Sequence, residues 1–325
     1  MNNNLSVYDD ILSVLEKKNI LIAGHLAPDA DCISSMLALF MAFDGRHKGW
    51  QLVLEDDYPP NVAFLPGIDQ IKKPAQISGQ VDMVLLLDCS DYQRASSGWL
   101  DHYKDRPLYI IDHHFAEMDK GTITLREVEA TATAQIIFKL IKAAGRPINS
   151  DIAMLLYSGI VSDSGGFRFS NTTPEVLLVA AELLLYGVDL ETVRVNLFER
   201  RTFANMKILG AALESLQLFY GGAVSLMAID QASMSRYNAK ATDCINIVNF
   251  SLLVENVKIG VLLEEREEGV KVSLRCRDNY FINDIAAAFG GGGHARAAGC
   301  TLSCSLAAAK SLILQAIAKK IEEAY

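Results

Sequence analysis

Apolar and polar positions alternate in blocks along the first half of the chain, and the blocks repeat one theme. A helical pattern over 5–19 (Leu5, Tyr8, Ile11, Leu12, Leu15) stops at Lys17-Lys-Asn. Ile20–Ala23 is then a short apolar run ending at Gly24-His-Leu-Ala-Pro-Asp-Ala-Asp31, and an apolar helix is predicted from Cys32 to Phe43. Gln51–Leu54 ends in Glu55-Asp-Asp57, Val81–Leu87 in Asp88-Cys-Ser-Asp91, and the run from Leu108 in Asp112-His-His114. Short apolar runs separated by helical or loop segments predict a parallel α/β sheet. Such sheets bind ligands just past the carboxyl ends of their strands, where the polar groups collect here.

Further on, 130–144 and 151–162 predict helices, the second running into Asp163-Ser-Gly-Gly166. Thr172-Thr-Pro-Glu175 is a capping-box pattern opening a helix from Pro174 to Tyr186. After a helical stretch over 189–218 the pattern changes. Strands are expected at 223–229, 257–264 and 270–275, then the glycine run 290–293 with His294, then an Ala/Leu-rich helix over 305–323. The expected division is an α/β domain over 1–190, a helical connector over 191–218, and a smaller α/β domain over 219–325.

Composition narrows the class. At 325 residues, half of them hydrophobic, the chain can bury two cores. No apolar run reaches the ~18 residues of a membrane span, and Met1-Asn-Asn-Asn-Leu-Ser lacks the features of a signal peptide. The six cysteines form no C-x-x-C pair and read as free thiols of a cytoplasmic protein, with Cys32 and Cys89 as small core residues. A net charge of −9 argues against holding long duplex nucleic acid, because that affinity comes from neutralising phosphates. It leaves room for a small phosphorylated substrate drawn to a local cluster of cations. A symmetric homodimer is the base expectation for an oligomer.

The candidate chemistry lies at the strand ends: His25, Asp29 and Asp31, then Asp88, then Asp112, His113 and His114, and finally Asp163. Singly, these could be helix caps and solvated acids. Converging on one cleft, the carboxylates would have to protonate or bind cations. Two divalent ions would balance the four aspartates 29, 31, 88 and 163, and oxygen plus imidazole donors suit Mn, Mg, Fe or Zn. In the second half, a glycine run lets backbone N–H groups approach a phosphate, and Arg275 suits bidentate phosphate contacts. Phe167 and Arg168 are candidates to stack on or pair with a nucleotide.

These segments resemble the motifs of the DHH phosphoesterases. The first motif is matched by His25-Leu-Ala-Pro-Asp-Ala-Asp31 with Ser35, and the second by Asp88-Cys-Ser-Asp91 with Arg94. The third is Asp112-His113-His114, and the fourth Gly159-Ile-Val-Ser-Asp-Ser-Gly165 running into Phe167–Thr173. Gly290–His294 and Ala297-Ala-Gly299 resemble the C-terminal DHH-associated domain. Ala30 and Ser34 stand where the family usually has glycines, and neither removes a ligand. Length and the Phe-Arg-Phe-Ser-Asn-Thr-Thr-Pro stretch resemble the NrnA-type branch, which degrades very short RNA and dephosphorylates adenosine 3′,5′-bisphosphate. The resemblance implies two divalent ions, Mn2+ first and Mg2+ second. His25, Asp29 and Asp88 would hold one; Asp31, Asp88, His113 and Asp163 would hold the other. It further implies a catalytic first domain and a substrate-binding second domain with the active cleft between them, where His114 faces the substrate phosphate, Asp112 orients the histidine pair, and Arg275, Gly291, Gly292, Gly293 and His294 grip the substrate. The rival activities are a cyclic di-AMP phosphodiesterase and a non-catalytic nucleotide sensor.

Overall fold

A computed structural model describes residues 2–116, 120–277 and 280–323. The chain forms two compact units, Met1–Arg200 and Arg201–Tyr325. The boundary falls inside the 191–218 stretch: the helical turns from Leu190 to Glu199 lie in the first unit, the helix Phe203–Glu214 in the second.

The first unit is built on β1 (Ile20–Ala23), β2 (Gln51–Val53), β3 (Ile71–Lys72), β4 (Met83–Leu87), β5 (Leu108–Asp112) and β6 (Ile123–Arg126). They lie in the order β3-β2-β1-β4-β5-β6, every neighbouring pair parallel. The central strands are buried on both faces, which is why they read as continuous apolar runs. Ile20, Ile22, Leu85, Leu87 and Ile111 point into one core, while Leu21, Ala23, Val84, Leu86 and Ile110 point into another. The larger core is closed by the helices Ala30–Ala42, Thr133–Ala143 and Ser150–Asp163. The chain leaves β1 for β2 on one side and returns to β4 on the other. That reversal of strand order opens a crevice at the carboxyl ends of β1 and β4. Thr173 caps the helix Pro174–Leu184, its side chain accepting from Val176 N, as the Thr-Thr-Pro-Glu pattern predicts.

The second unit contains β7 (Gln217–Phe219), β8 (Val224–Ile229), β9 (Ile259–Arg266), β10 (Gly269–Cys276), β11 (Gly292–His294) and β12 (Ala297–Leu302), in the order β11-β12-β10-β9-β8-β7. β8 and β9 pair in parallel and the remaining neighbours antiparallel. Ala309, Ile313, Ile317 and Ile321, spaced by four, bury one stripe of the helix Leu306–Glu323 in this unit's core. The glycine run contributes a strand to a hairpin. A Cβ on Gly291 would stand 2.2 Å from Gly299 O, and one on Gly293 2.5 Å from Ala297 O. Close backbone approach to β12 thus accounts for two of the four glycines. Among the described residues no helix is long and apolar enough to cross a membrane.

Candidate metal centre

Each site residue sits where an element ends. His25 follows β1, Asp88 follows β4, and Asp112 is the last residue of β5 with His113 and His114 behind it. Asp29 caps the helix Ala30–Ala42, accepting from Cys32 N at 3.1 Å, and Asp31 lies in its first turn. Asp163 ends the helix Ser150–Asp163. Asp88 adopts a left-handed backbone, φ 57°, a conformation that aspartate and asparagine tolerate better than most residues. Its own N–H still joins the sheet, donating to Ile111 O at 3.0 Å. The turn therefore keeps the ladder while swinging the carboxylate inward.

Asp88 is the hub. Its carboxylate oxygens stand 3.6 Å from His25 Nε2, 3.6 Å from His113 Nε2 and 3.5 Å from His114 Nδ1. Asp163 Oδ2 is 3.3 Å from His113 Nε2, and Asp29 Oδ1 is 3.9 Å from His25 Nε2. The residues expected at the centre of the first unit thus come together. Asp29 stands outermost, its side chain 55% exposed, whereas Asp31 and Asp112 are fully buried.

The surroundings fix these groups. His25 Nδ1 bonds Leu26 O at 2.8 Å and His113 Nδ1 bonds Ala130 O at 3.2 Å. A carbonyl accepts only, so the proton sits on Nδ1 and each Nε2 is turned toward Asp88. Asp31 accepts from the N–H groups of Thr133 (2.6 Å) and Ala134 (3.0 Å), the start of the helix Thr133–Ala143, whose dipole favours a carboxylate there. Thr133 Oγ1 also donates to Asp88 Oδ1 at 2.9 Å. Asp112 takes the backbone N–H of His114 (3.0 Å), His114 Nδ1 (2.9 Å) and Arg126 Nη1 (2.8 Å), and Arg126 reaches His114 O at 2.6 Å.

Electrostatics shows what the cluster lacks. Burial, together with repulsion from Asp88 and Asp163, holds the Asp31 carboxyl well above the ordinary carboxylate range. Burial likewise raises Asp163, helped by Asp29 and Asp88. Burial opposes a charge on His113, but its contact with Asp163 and the fields of Asp31 and Asp88 outweigh it and push the imidazole up to about 10. Burial acts against ionised Asp88 and Asp112 too, yet the neighbouring imidazoles, and Arg126 for Asp112, keep both below the usual value. Cations or protons must fill such a cluster. His113 Nε2 is buried without a hydrogen-bond partner of acceptable geometry, although Asp163 Oδ2 is close. An orphaned ring nitrogen among carboxylates suits an imidazole that ligates a cation, so the donors fit a divalent metal. Three overlapping sets could each hold one, with all donor atoms within 4.8 Å: Asp88, His113 and His114; Asp31, His113 and Asp163; and His25, Cys32 and Asp88.

A prediction follows from the proton on His113. Near pH 7 the metal-free cluster carries protons that ligation expels, so apparent affinity rises with pH. Calorimetric titration with Mn2+ in two buffers of different ionisation enthalpy is expected to show release of roughly one proton or more per chain. Heats independent of the buffer would contradict the raised imidazole.

Four residues support the centre: Thr133 and Arg126 have no signal of their own in the sequence, whereas Cys32 reads there as core and Gly159 opens the fourth motif segment. Thr133 opens an unremarkable helix. Arg126 matters because the parallel register of β5 and β6 sets it beside Asp112. Cys32, buried as expected, is nonetheless near enough to His25 and Asp88 to share a metal with them. Gly159 faces Asp31: a Cβ there would stand 2.6 Å from its Oδ1. Phe167 packs edge-on against Tyr157, ring centroids 6.3 Å apart. In the second unit, Arg275 near the end of β10 is half-buried and donates to Leu274 O at 2.9 Å, and burial lowers its pKa. Gly291, Gly292 and Gly293 enter the β11 hairpin, and the His294 side chain lies outside the described residues.

A parallel sheet with imidazoles and carboxylates gathered at its switch point, followed by a second α/β unit, is the plan of a metal-dependent hydrolase. Residues 19–160 match the N-terminal domain of the DHH family and residues 227–323 match the DHHA1 domain. The bifunctional oligoribonuclease and PAP phosphatase NrnA of Thermus thermophilus is 32% identical over 308 residues, 94% of this chain and 91% of that protein. A probable manganese-dependent inorganic pyrophosphatase of Exiguobacterium is 32% identical over 181 residues, 53% of this chain and 57% of that one. The crystal structure of an exopolyphosphatase-related protein from Bacteroides fragilis superposes with a TM-score of 0.90 at 24% identity, covering 97% of this chain and 96% of that one. The chain belongs to the DHH phosphoesterase family, with a DHHA1 domain as its second unit.

Proposed function

We propose that this protein is a two-metal phosphoesterase that hydrolyses short oligoribonucleotides, nanoRNA and pApA among them, and removes a phosphate from adenosine 3′,5′-bisphosphate. The observation that carries this reading is Asp88, buried and within 3.6 Å of three imidazoles. The likeness to the Thermus oligoribonuclease spans both units, while that to the pyrophosphatase stops at about half the chain.

His25, Asp29 and Asp88 would hold one divalent ion, and Asp31, Asp88, His113 and Asp163 the other, with Mn2+ the first choice and Mg2+ the second. Bound there, such ions supply Lewis-acid charge to phosphoryl oxygens and acidify the attacking water. The chain's own groups do the rest. Asp112 grips Nδ1 of His114, leaving Nε2 as the ring atom for a phosphoryl oxygen. Arg126 holds both Asp112 and the His114 carbonyl, so the carboxylate that aims the ring is itself tied to β6. Arg275, Gly291, Gly292, Gly293 and His294 would bind substrate phosphate from the second unit.

Turnover of pApA, adenosine 3′,5′-bisphosphate, cyclic di-AMP and a longer RNA, with Mn2+, Mg2+ or chelator, tests the proposal. The first two substrates are expected to react with Mn2+ and to stop with chelator. Preference for cyclic di-AMP would replace this reading with the cyclic dinucleotide one. Nucleotide binding without turnover or bound metal would make the protein a sensor.

A further inference from the structure

The loop from Asp163 to Thr173 is wound tightly by its own backbone. Gly165 N donates to Ser162 O, and Arg168 N and Phe169 N both donate to Ser164 O, at 2.9–3.0 Å. Asn171 Nδ2 ties the loop back to Asp163 O at 3.1 Å and Thr131 O at 3.2 Å. Of its two phenylalanines, Phe167 is packed on Tyr157, whereas Phe169 remains 58% exposed. The Phe169 ring has a defined seat. A Cβ built on Gly165 would lie 2.5, 2.6 and 2.7 Å from its Cζ, Cε1 and Cε2. Those near-equal distances put Gly165 over the ring's face, since an approach to the edge would favour one atom strongly. One face therefore rests on a glycine two residues beyond Asp163, and more than half of the residue stays exposed.

An apolar ring seated on a glycine two residues beyond Asp163 has little to offer a phosphate, which divalent ions held at the centre would attract. It has much to offer the neutral, flat part of a nucleotide. We propose that Phe169 is a base-stacking residue, recognising the nucleobase attached to the phosphate handled at Asp163 and so favouring nucleotides over simple phosphate esters. This rests on the nucleotide reading above. Stacking on an aromatic side chain accepts any base, because every base has a π-face, which suits a substrate of mixed sequence.

The test measures equilibrium binding, so that it does not depend on turnover. AMP and ribose 5-phosphate are titrated by calorimetry into the Mn2+-loaded protein and its Phe169→Ala and Phe169→Trp variants. AMP affinity is expected to fall about tenfold to a hundredfold in Phe169→Ala and to be restored in Phe169→Trp, with ribose 5-phosphate unchanged throughout. Quenching of the Trp fluorescence in Phe169→Trp by AMP, and not by ribose 5-phosphate, would report the stack directly. In turnover of pApA the loss in Phe169→Ala is expected in KM, with kcat within about twofold of wild type. Equal AMP affinity in wild type and Phe169→Ala, or no measurable AMP binding by wild type, overturns the proposal. Normal Phe169-dependent AMP binding without hydrolysis of pApA would instead leave the stack standing and remove the oligoribonuclease reading.

Discussion

Replacing Asp88 with asparagine is expected to lower metal-dependent turnover by about a thousandfold or more, equivalent to about 4 kcal/mol of lost transition-state stabilisation. Asparagine keeps the shape, tolerates the left-handed backbone and can still accept from Thr133 Oγ1. What it removes is the negative charge facing His25, His113 and His114. The same substitution relieves the repulsion that helps hold the Asp31 carboxyl up, so the metal-free variant should unfold within about 1 kcal/mol of wild type. The diagnostic contrast is the metal response. Wild type at about 100 times its Kd for Mn2+ gains about 2.7 kcal/mol, and the variant gains little. Thermal melts with and without Mn2+ measure this, and an equal shift in both proteins would remove Asp88 from the metal centre.

Gly159→Ala should destabilise the first unit by about 1–3 kcal/mol. Helix propensity alone argues the opposite, since alanine inside a helix is favoured over glycine by about 1 kcal/mol. Space decides the sign. The added methyl would stand 2.6 Å from Asp31 Oδ1 and 2.7 Å from the Ala134 Cβ. Neither neighbour can give way cheaply: Asp31 is pinned by two backbone N–H groups, and Ala134 belongs to the helix that supplies both of them. Displacing Asp31 should also weaken Mn2+ binding. Chemical denaturation of the metal-free protein, followed by a metal titration, separates the two effects. Unchanged stability would mean that the helices Ala30–Ala42, Thr133–Ala143 and Ser150–Asp163 are less firmly packed than their contacts indicate.

The centre was readable from sequence where a buried strand stops. β1, β4 and β5 are continuous apolar runs, so the polar groups that break them, His25, Asp88 and Asp112 to His114, stand out against their surroundings. The edges were not readable. β3 has two residues, and three of the four in β6 are only half-buried, so neither shows the uniform burial or clean alternation that marks a strand. Without β6 there is no way to see Arg126 behind Asp112, because that pairing exists only through strand register. Thr133 is hidden for a related reason, and so is the part Gly159 plays, although that residue opens the fourth motif segment: both meet Asp31 through helix packing across a long stretch of chain. The glycine run 290–293 illustrates an ambiguity of residue type. Glycine permits close approach of any backbone, and here Gly291 and Gly293 meet β12 of the same hairpin. Phe167 and Phe169 differ in no local property of sequence, and their opposite fates follow from Tyr157 on one side and Gly165 on the other.

The sheet's outermost strand on one side, β6, carries the arginine that steadies both Asp112 and the main chain of His114. Rim strands are where a sheet opens first, at a small fraction of the free energy needed to unfold the whole. Fraying there would let the His114 ring lose its aim while the buried interior stayed intact, so warming should silence this enzyme some degrees before it melts.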